Sequence, residues 1–263
     1  MPEPTAAHVE AARRLADAAT TRVPCQPIRE LFADGTIDDG YAVQQLVLEE
    51  LKSGTRGVGR KIGLTSPAVQ QQMGVDTPDF GVLYADMAFG DSQVLPSERL
   101  LQPRIEAEVA FVLGRDLLES PVVPSEVLGA IDFVVASIEV VDSRIENWDI
   151  SIVDTVADNA SSGLFVIGGS PRSLRDIDDL RNVEMSMSCD GQVVSSGTGA
   201  ACLGHPLNAV VWLANAVAAR GVPLRAGEVL LSGSLGPLVA AERGKTYEAT
   251  FTGLGSVRAT FSD

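Results

Sequence analysis

One stretch of the sequence decides the fold, RIEAEVAFVL at positions 104–113. Its dense β-branched and aromatic residues, with no Pro or Gly after Pro103, predict a strand. Because side chains alternate between the two faces of a strand, Glu106 and Glu108 point the same way. Both faces become apolar within two residues, as in a strand that is covered on both sides. Two carboxylates at the head of such a strand must be protonated or neutralised by a cation.

A third carboxylate occurs in a second apolar run. Glu139 lies within FVVASIEVV at positions 133–141, thirty-one positions after Glu108 (139 − 108). Three converging carboxylates, with room for water, suit a hard divalent cation such as Mg²⁺ or Mn²⁺. The alternative is that Glu106 and Glu108 lie on a solvated strand face and that Glu139 pairs with an arginine, as in many structural ion pairs. The spacing leaves both interpretations open.

The composition and net charge of the chain argue against several classes of protein. The 263 residues are 45% hydrophobic and 21% charged, which allows a substantial core. A net charge of −15 disfavours nucleic acid, whose phosphates require basic patches, and it disfavours anionic membranes. No segment is expected to direct secretion or to span a membrane.

The few cysteines and histidines limit the kinds of catalytic and metal site that the chain can form. The cysteines, Cys25, Cys189 and Cys202, are odd in number and form no C-x-x-C motif, so we expect a reducing cytoplasm without structural disulfides or thiolate zinc. With only His8 and His205 available, a Ser-His-acid triad is hard to build, and an oxygen-only metal site is favoured over zinc. His205 precedes Pro206 at a predicted helix start, where a structural role is favoured.

The pattern along the chain predicts an α+β fold in two parts. Positions 1–55 are a small helical N-terminal region, because apolar residues recur there at helical spacing. Positions 56–263 are a mixed or antiparallel β body with helices at 124–130 and from Pro206 to Gly221. A doubly wound nucleotide-binding fold is excluded, because the dinucleotide and Walker A motifs are absent from the sequence. The predicted strands are 92–95, 105–113, 131–141, 163–168, 183–189, 192–195, 228–232, 238–241, 246–251 and 256–261.

Two further residues have an ordinary and a functional interpretation. Lys61 lies in a predicted strand within the glycine-rich segment 57–66, where a lysine is ordinarily exposed, although it could also be held near an anionic substrate. A short helix is predicted at 66–72. Asp79 follows within TPDFG at 77–81, which is predicted to be a loop. An aspartate in such a loop ordinarily stabilises the turn.

Six segments resemble a known family. They are GRKIGLT at 59–65, GVDTPDFG at 74–81, QPRIEAE at 102–108, VDTVADNAS at 153–161, CLGHPLNA at 202–209 and SGSLGP at 232–237. Together they are similar to the 2-keto-4-pentenoate (2-hydroxypenta-2,4-dienoate) hydratase family of the fumarylacetoacetate hydrolase-like superfamily. The likeness covers nearly the whole chain.

The resemblance implies a fold, partners and a reaction. The fold would be a small helical N-terminal region on a mixed β-sandwich or roll of the fumarylacetoacetate hydrolase C-terminal type. The chain would form homo-oligomers in the cytoplasm, with a pathway enzyme as a further partner. It would add water to 2-hydroxypenta-2,4-dienoate to give 4-hydroxy-2-oxopentanoate, in the meta-cleavage catabolism of aromatic compounds.

It also implies residue roles. Lys61 would be the acid or base near the dienol, with its pKa lowered by the cation, and Asp79 would orient the water or move the second proton. The remaining implied site residues are Glu106, Glu108 and Glu139 as ligands of one Mg²⁺ or Mn²⁺, and Ser161 in the substrate pocket.

Three other functions are kept as alternatives. A 4-oxalocrotonate (2-oxo-hex-3-enedioate) decarboxylase would have an almost identical metal site, but it also needs a cation for the second carboxylate of its substrate. The segments WDISIVDT at 148–155 and ASSG at 160–163 are more similar to the hydratases. A C–C hydrolase would activate water with a His–carboxylate pair, and neither histidine lies beside the acidic motif in sequence. In a non-catalytic scaffold, the metal would only brace the fold.

Overall fold

The computed structural model describes residues 4–66, 70–71 and 75–263. The short helix predicted at 66–72 falls largely outside these residues. Strands are the commonest regular structure in the described chain, and its helices lie at the N-terminus and beside the sheets. The helices with described bounds are α1 (Ala6–Thr21), α2 (Ile37–Leu51), α3 (Pro124–Ala130), α4 (Ile152–Ala157) and α5 (Pro206–Ala218).

The strands form two mixed sheets. They are β1 (Gly57–Gly63), β2 (Asp79–Tyr84), β3 (Ala88–Gly90), β4 (Val94–Leu95), β5 (Pro103–Leu113), β6 (Ile131–Asp142), β7 (Ser162–Ile167), β8 (Glu184–Cys189), β9 (Gln192–Thr198), β10 (Val229–Ser234), β11 (Val239–Ala240), β12 (Thr246–Phe251) and β13 (Gly255–Phe261). The larger sheet has the order β2-β1-β10-β5-β6-β7-β3, with β11 paired to β5, and the smaller has the order β4-β13-β12-β8-β9. This is the mixed β architecture that the sequence predicts.

The N-terminal helices begin at capping boxes. The Thr5 side chain accepts a hydrogen bond from the His8 backbone, and Thr36 does the same for Asp39, which satisfies N–H groups that a helix leaves unpaired. The His8 ring is also 2.9 Å from the Asp39 carboxylate, so the two helix starts are joined. Both helices bury an apolar cluster against α4. Its members include Ala11, Leu15, Ile28, Val43, Val47, Val153 and Ala157.

The main core lies on one face of the larger sheet. Ile105, Val109 and Phe111 of β5 are fully buried there. They belong to one apolar cluster with residues of β6, of the smaller sheet and of α5. This is the face opposite to that of Glu106 and Glu108, as the alternation of side chains along β5 requires.

The helix α5 is a core helix. The stretch Gly199–Ala218, with a mean hydropathy of 1.2, is long and apolar enough by composition to cross a membrane, so the expectation that no stretch would reach that length was wrong. Its α-helical part is only 13 residues, Pro206–Ala218, or about 20 Å. Within that helix, Val210, Leu213 and Val217 have no exposed surface, because they pack into the main core.

His205, the residue directly before α5, has the structural role that the sequence favours. The His205 ring accepts a hydrogen bond from the Leu207 backbone N–H over 3.0 Å and so caps the helix. Its other ring nitrogen lies 3.3 Å from the Asp179 carboxylate. A capping histidine held in this way is not arranged as a general base.

Two sequence expectations fail in the region that builds the site. Residues 79–81 of the loop predicted at 77–81 are instead the start of β2, with Asp79 paired to Gly63 of β1. The helix α4 was also not predicted, because at six residues it is too short to show a period. In both segments, tertiary contacts decide the structure: strand pairing outweighs the turn preference of Asp and Gly, and α4 is held against α1 and α2.

The larger sheet curls so that its other face encloses a second apolar cluster. Leu83 of β2 and Phe165 of β7 belong to this cluster, although their strands stand near opposite ends of the sheet order. Ala110, Val135 and Leu231 from the intervening strands complete its buried part, together with Met87. The carboxylates on β5 lie on this inner face, beside Ala110 in the alternation of the strand.

Close approach of β1 to β10 requires glycine at position 59. A Cβ atom at Gly59 would lie 1.8 Å from the Val229 carbonyl oxygen. We therefore expect Gly59→Ala to lower the free energy of unfolding by about 1–3 kcal/mol or more, since the parallel pairing must shift. Thermal unfolding measures the loss. A matched control is Gly57→Ala on the same strand, where the nearest atom to a new Cβ is 4.0 Å away. Equal melting temperatures for the two variants would contradict the prediction.

Candidate functional site

Strand register brings three carboxylates together. Glu106 and Glu108 lie on the same face of β5, and Glu139 on β6 is directly opposite Glu106. One oxygen of each side chain can be chosen so that all three lie within 4.8 Å of one another. Glu108 and Glu139 are buried and Glu106 is partly buried. The solvated-face alternative for the two β5 glutamates is therefore wrong.

Three buried oxygens of this cluster lack hydrogen-bond donors among the described residues. Glu108 Oε2 accepts the Gly233 backbone N–H over 2.8 Å, but Glu108 Oε1 and both oxygens of Glu139 have no hydrogen-bond donor. Lys61 Nζ is 3.0 Å from Glu139 Oε1, as an ion pair whose angles do not make a hydrogen bond. Unsatisfied buried oxygens are costly, and an all-oxygen set suits Mg²⁺ or Mn²⁺. The donor set therefore fits such a cation.

Burial and mutual repulsion favour protonation of the ion-free cluster. Burial, together with repulsion from Glu139, raises the pKa of Glu106 to about 7, although Lys61 opposes the rise. Burial also raises the pKa of Glu108 well above its ordinary value, with added repulsion from Glu139 and Glu106. The pKa of Glu139 is raised by burial as well, although Lys61 lowers it in part. A bound cation would relieve both the burial cost and the repulsion.

Lys61 is a buried ammonium group, so the exposed-lysine interpretation is wrong. It is 3% exposed, and its Nζ donates a hydrogen bond to the Ala160 carbonyl oxygen over 2.9 Å. Burial by itself lowers the pKa of Lys61, but the neighbouring carboxylates, led by Glu139 and Asp79, outweigh it and raise the pKa above its usual value. In the ion-free site Lys61 is therefore protonated.

Asp79 reaches the same place from the first position of β2. It is 1% exposed, and its Oδ1 has no hydrogen-bond partner among the described residues. A Cβ atom at Gly63 would lie 2.2 Å from Asp79 Oδ1 and 3.6 Å from Lys61 Nζ, so glycine at this position leaves room for both groups. Burial raises the pKa of Asp79, and Lys61 partly offsets the rise.

Ser161 lies in an unusual turn that sequence reasoning missed. Asn159, Ala160 and Ser161 all have left-handed backbone conformations, with φ values of 55°, 51° and 52°. Ser161 is 3% exposed, and its Oγ is 3.4 Å from Thr155 Oγ1. The Asp-Asn pair before Ala160 was the available signal, since these residue types tolerate this conformation. The turn carries the carbonyl that Lys61 contacts, so Ser161 and Lys61 are brought close together.

Comparisons with known proteins agree on one family. The fumarylacetoacetate (FAA) hydrolase C-terminal family model matches residues 58–262. The chain is 53% identical over 253 residues to 2-keto-4-pentenoate hydratase of Paraburkholderia xenovorans (strain LB400), covering 96% of this chain and 94% of that protein. It is 43% identical over 258 residues to 2-hydroxyhexa-2,4-dienoate hydratase of Comamonas testosteroni, covering 95% and 96%.

A solved structure gives the same result for the fold. The 4-oxalocrotonate decarboxylase from Pseudomonas putida G7, complexed with magnesium and adipate, is 37% identical and matches with a TM-score of 0.92 over 97% of both chains. A match of this extent includes the N-terminal helices as well as the β body. The predicted α+β architecture is confirmed.

The raised carboxylate pKa predicts how the stability of the ion-free protein varies with pH. The pKa of Glu106 in the folded protein, about 7, exceeds its ordinary value of 4.5, so the folded protein binds this proton more tightly than the unfolded chain does. The stability gained from this proton is fully present below about pH 4.5 and is lost as the pH rises through about 7. We expect the free energy of unfolding in chelator to fall by about 1–3 kcal/mol between about pH 5 and pH 8. Urea unfolding at several pH values measures it. Glu106→Gln should flatten the dependence, and an equally steep fall in that variant would contradict the assignment.

Proposed function

Because the chain belongs to the fumarylacetoacetate hydrolase family, we propose that it is a metal-dependent hydro-lyase that hydrates 2-hydroxypenta-2,4-dienoate to 4-hydroxy-2-oxopentanoate. The observation that carries the proposal is the cluster of three carboxylates, two buried and one partly buried, beside the buried Lys61 ammonium. The names of relatives at 53% and 43% identity support the reaction and a place in aromatic meta-cleavage catabolism.

The metal ligands in this proposal are Glu106, Glu108 and Glu139, and the cation is Mg²⁺ or Mn²⁺. Their oxygens without donors and their all-oxygen character support it. The magnesium of the similar decarboxylase structure supports it as well. When bound, such a cation polarises the 2-oxo acid end of the substrate and orients it.

Lys61 is proposed to move the proton of the dienol step. Ketonisation removes the proton of the 2-hydroxyl group and adds one at C5, which gives the conjugated 2-oxo-pent-3-enoate. The ammonium donates one hydrogen bond, to the Ala160 carbonyl, and pairs with Glu139 Oε1, so it retains N–H groups that can donate to the substrate. A cation held by Glu106, Glu108 and Glu139 would offset the charge that raises the pKa of Lys61, so that burial would lower this pKa and the amine could both give and take a proton.

Asp79 is proposed to serve the addition of water. Water adds across C3 and C4, with the hydroxyl group at C4 and the proton at C3. The unpartnered Asp79 Oδ1 is available to accept a hydrogen bond from that water and to orient it. Its raised pKa brings the carboxyl closer to the range in which it can also take a proton. Ser161 is kept as a substrate-binding residue, since it shares the turn that contacts Lys61.

Decarboxylation of 4-oxalocrotonate is a second candidate that one observation favours. Arg104 shares the β5 face of Glu106, and its guanidinium lies 4.4 Å from the centre of the Trp148 ring. It has no carboxylate partner among the described residues, so it could receive the second carboxylate of that substrate. The higher identity to hydratases, 53% against 37%, favours hydration.

Location and assembly remain predictions. We propose a cytoplasmic homo-oligomer, supported by the family likeness and by free cysteines at positions 25, 189 and 202. A complex with a pathway enzyme is proposed on the likeness alone.

The reaction is tested by offering both substrates to the protein with Mg²⁺ or Mn²⁺. We expect the ultraviolet absorbance of 2-hydroxypenta-2,4-dienoate to disappear with formation of 4-hydroxy-2-oxopentanoate, and chelator to stop the loss. A series of longer dienoates reports the accepted tail length. Faster release of CO₂ from 2-oxo-hex-3-enedioate than hydration of any dienoate would show that the chain is a decarboxylase.

The roles of Lys61 and Asp79 are tested by substitution. We expect Lys61→Ala and Asp79→Asn each to lower kcat by about 10²–10⁴-fold, the range for loss of a proton-transfer group. Steady-state kinetics with saturating metal measure the loss. The matched controls are Lys245→Ala and Asp190→Asn, from a 2.6 Å ion pair on the surface, which should keep wild-type rates. Near wild-type hydration by both site variants would refute the assigned roles.

A further inference from the structure

A left-handed turn at Asn159–Ser161 stands directly against the Lys61 side chain. Three consecutive non-glycine residues there have φ values between 51° and 55°. Each is less favourable than the right-handed conformation, and asparagine is among the residue types that tolerate it best. Strain of this kind persists only where the surrounding structure enforces it, and it concentrates at functional sites. The contacts that enforce it therefore indicate what the turn does.

The Asn159 side chain joins this turn to the edge of the larger sheet. The Val82 backbone N–H donates to Asn159 Oδ1 over 2.8 Å, and Asn159 Nδ2 donates to the Val82 carbonyl over 2.9 Å. Since β2 ends the sheet order, Val82 has no neighbouring strand on that side within the described residues. One amide side chain thus makes both hydrogen bonds that a neighbouring strand would make.

Other contacts fix the two ends of the turn. The Ser162 hydroxyl donates to the Asn159 carbonyl over 2.7 Å. Arg144 donates to the Asp158 carbonyl over 2.6 Å and to the Ser162 carbonyl over 2.8 Å. The guanidinium of Arg144 also pairs with the buried Asp158 carboxylate. The turn is therefore held before, within and after its left-handed residues.

The carbonyl at the centre of the turn is the one that Lys61 contacts. Lys61 Nζ donates to the Ala160 carbonyl over 2.9 Å, and this is its one neutral partner among the described residues. The other contact of the ammonium is with Glu139, over 3.0 Å. A lysine has a flexible four-carbon stem, so without the carbonyl its ammonium would be drawn towards the carboxylates alone. The turn thus sets the direction of the remaining N–H groups.

We propose that Asn159 is a positioning residue for Lys61: its amide clamps the left-handed turn to Val82 and so holds the Ala160 carbonyl that orients the ammonium. The kinetic part of this inference rests on the proposed function, in which Lys61 transfers a proton. A misplacement of about 1 Å at such a group is enough to cost on the order of 100-fold in rate.

Glycine at position 159 separates the amide from the backbone conformation. Asn159→Gly accepts the left-handed φ but removes both bonds to Val82. We expect kcat to fall about 10- to 100-fold with KM little changed, because the substrate still binds while the proton donor is misdirected. The matched control is Asn147→Gly, since Asn147 is also left-handed, at φ 58°, and its exposed side chain makes no hydrogen bond within the described chain. That variant should keep the wild-type kcat.

A second readout needs no turnover. In the Mg²⁺-loaded protein without substrate, acetic anhydride should label Lys61 faster in Asn159→Gly than in the wild type, as measured by mass spectrometry of the peptide. The fully buried Cys202 reports general opening, and its reaction with iodoacetamide should stay slow in both proteins. Since labelling does not depend on the reaction, it tests the clamp even if the dienoate proves not to be the substrate.

A loss of kcat together with faster labelling of Lys61, but not of Cys202, supports the clamp. A wild-type kcat in an active enzyme, unchanged labelling of Lys61, or a parallel rise at Lys61 and Cys202 would each overturn it. If Asn159→Gly does not fold, Ser162→Ala gives the milder test, because it removes only the bond to the Asn159 carbonyl. The same pattern at smaller amplitude would then be expected, and wild-type kinetics and labelling would count against the proposal.

Discussion

Repulsion among carboxylates buried on the inner face of one curled sheet is the constraint around which this protein is built. Glu106, Glu108 and Glu139 meet there, and burial raises the pKa of each above its ordinary value. Only one ammonium, that of Lys61, stands in ion-pair contact with them in the described chain. A divalent cation held by the three carboxylates would resolve this imbalance, and in the proposed function it would also bind the oxygens of a 2-oxo acid.

The sheet makes that arrangement rigid. Glu106 and Glu139 oppose each other only because β5 and β6 pair in one register, and a shift of one residue would turn Glu139 to the other face. Apolar side chains cover both faces of these strands, which fixes the register strongly. Lys61 and Asp79 come from two further paired strands, while Ser161 comes from a strained turn. Strands therefore supply the fixed charges, and the turn supplies the polar contacts that direct them.

Much of this could be predicted from local pattern. The alternation of Glu106, Glu108 and the apolar residues after them defines a buried strand with two carboxylates on one face. The apolar run around Glu139 predicts a second buried strand in the same way. The same pattern could not place Glu139 opposite Glu106, because register depends on contacts distant in sequence. For Lys61, local sequence left open an exposed lysine and a lysine held near an anionic substrate, and its burial in the folded chain excludes the first.

The features that the sequence did not predict also depend on contacts between residues distant in sequence. Asp79 lies in a segment with turn propensity, yet pairing with β1 makes it the start of a strand. The left-handed turn at Asn159 depends on one amide meeting the edge of β2, which no periodicity reveals. The apolar stretch that ends in α5 matches a membrane helix in composition, and only its burial in the main core shows its role.

The most direct measurement of the central claim is the anomalous diffraction of crystals grown with Mn²⁺. The account predicts one strong peak per chain, at about 2.1 Å from an oxygen of each of Glu106, Glu108 and Glu139. The Lys61 ammonium should lie beside the peak without binding it. A chain without such a peak, a peak held by other residues, or carboxylates that turn apart into solvent would contradict the claim.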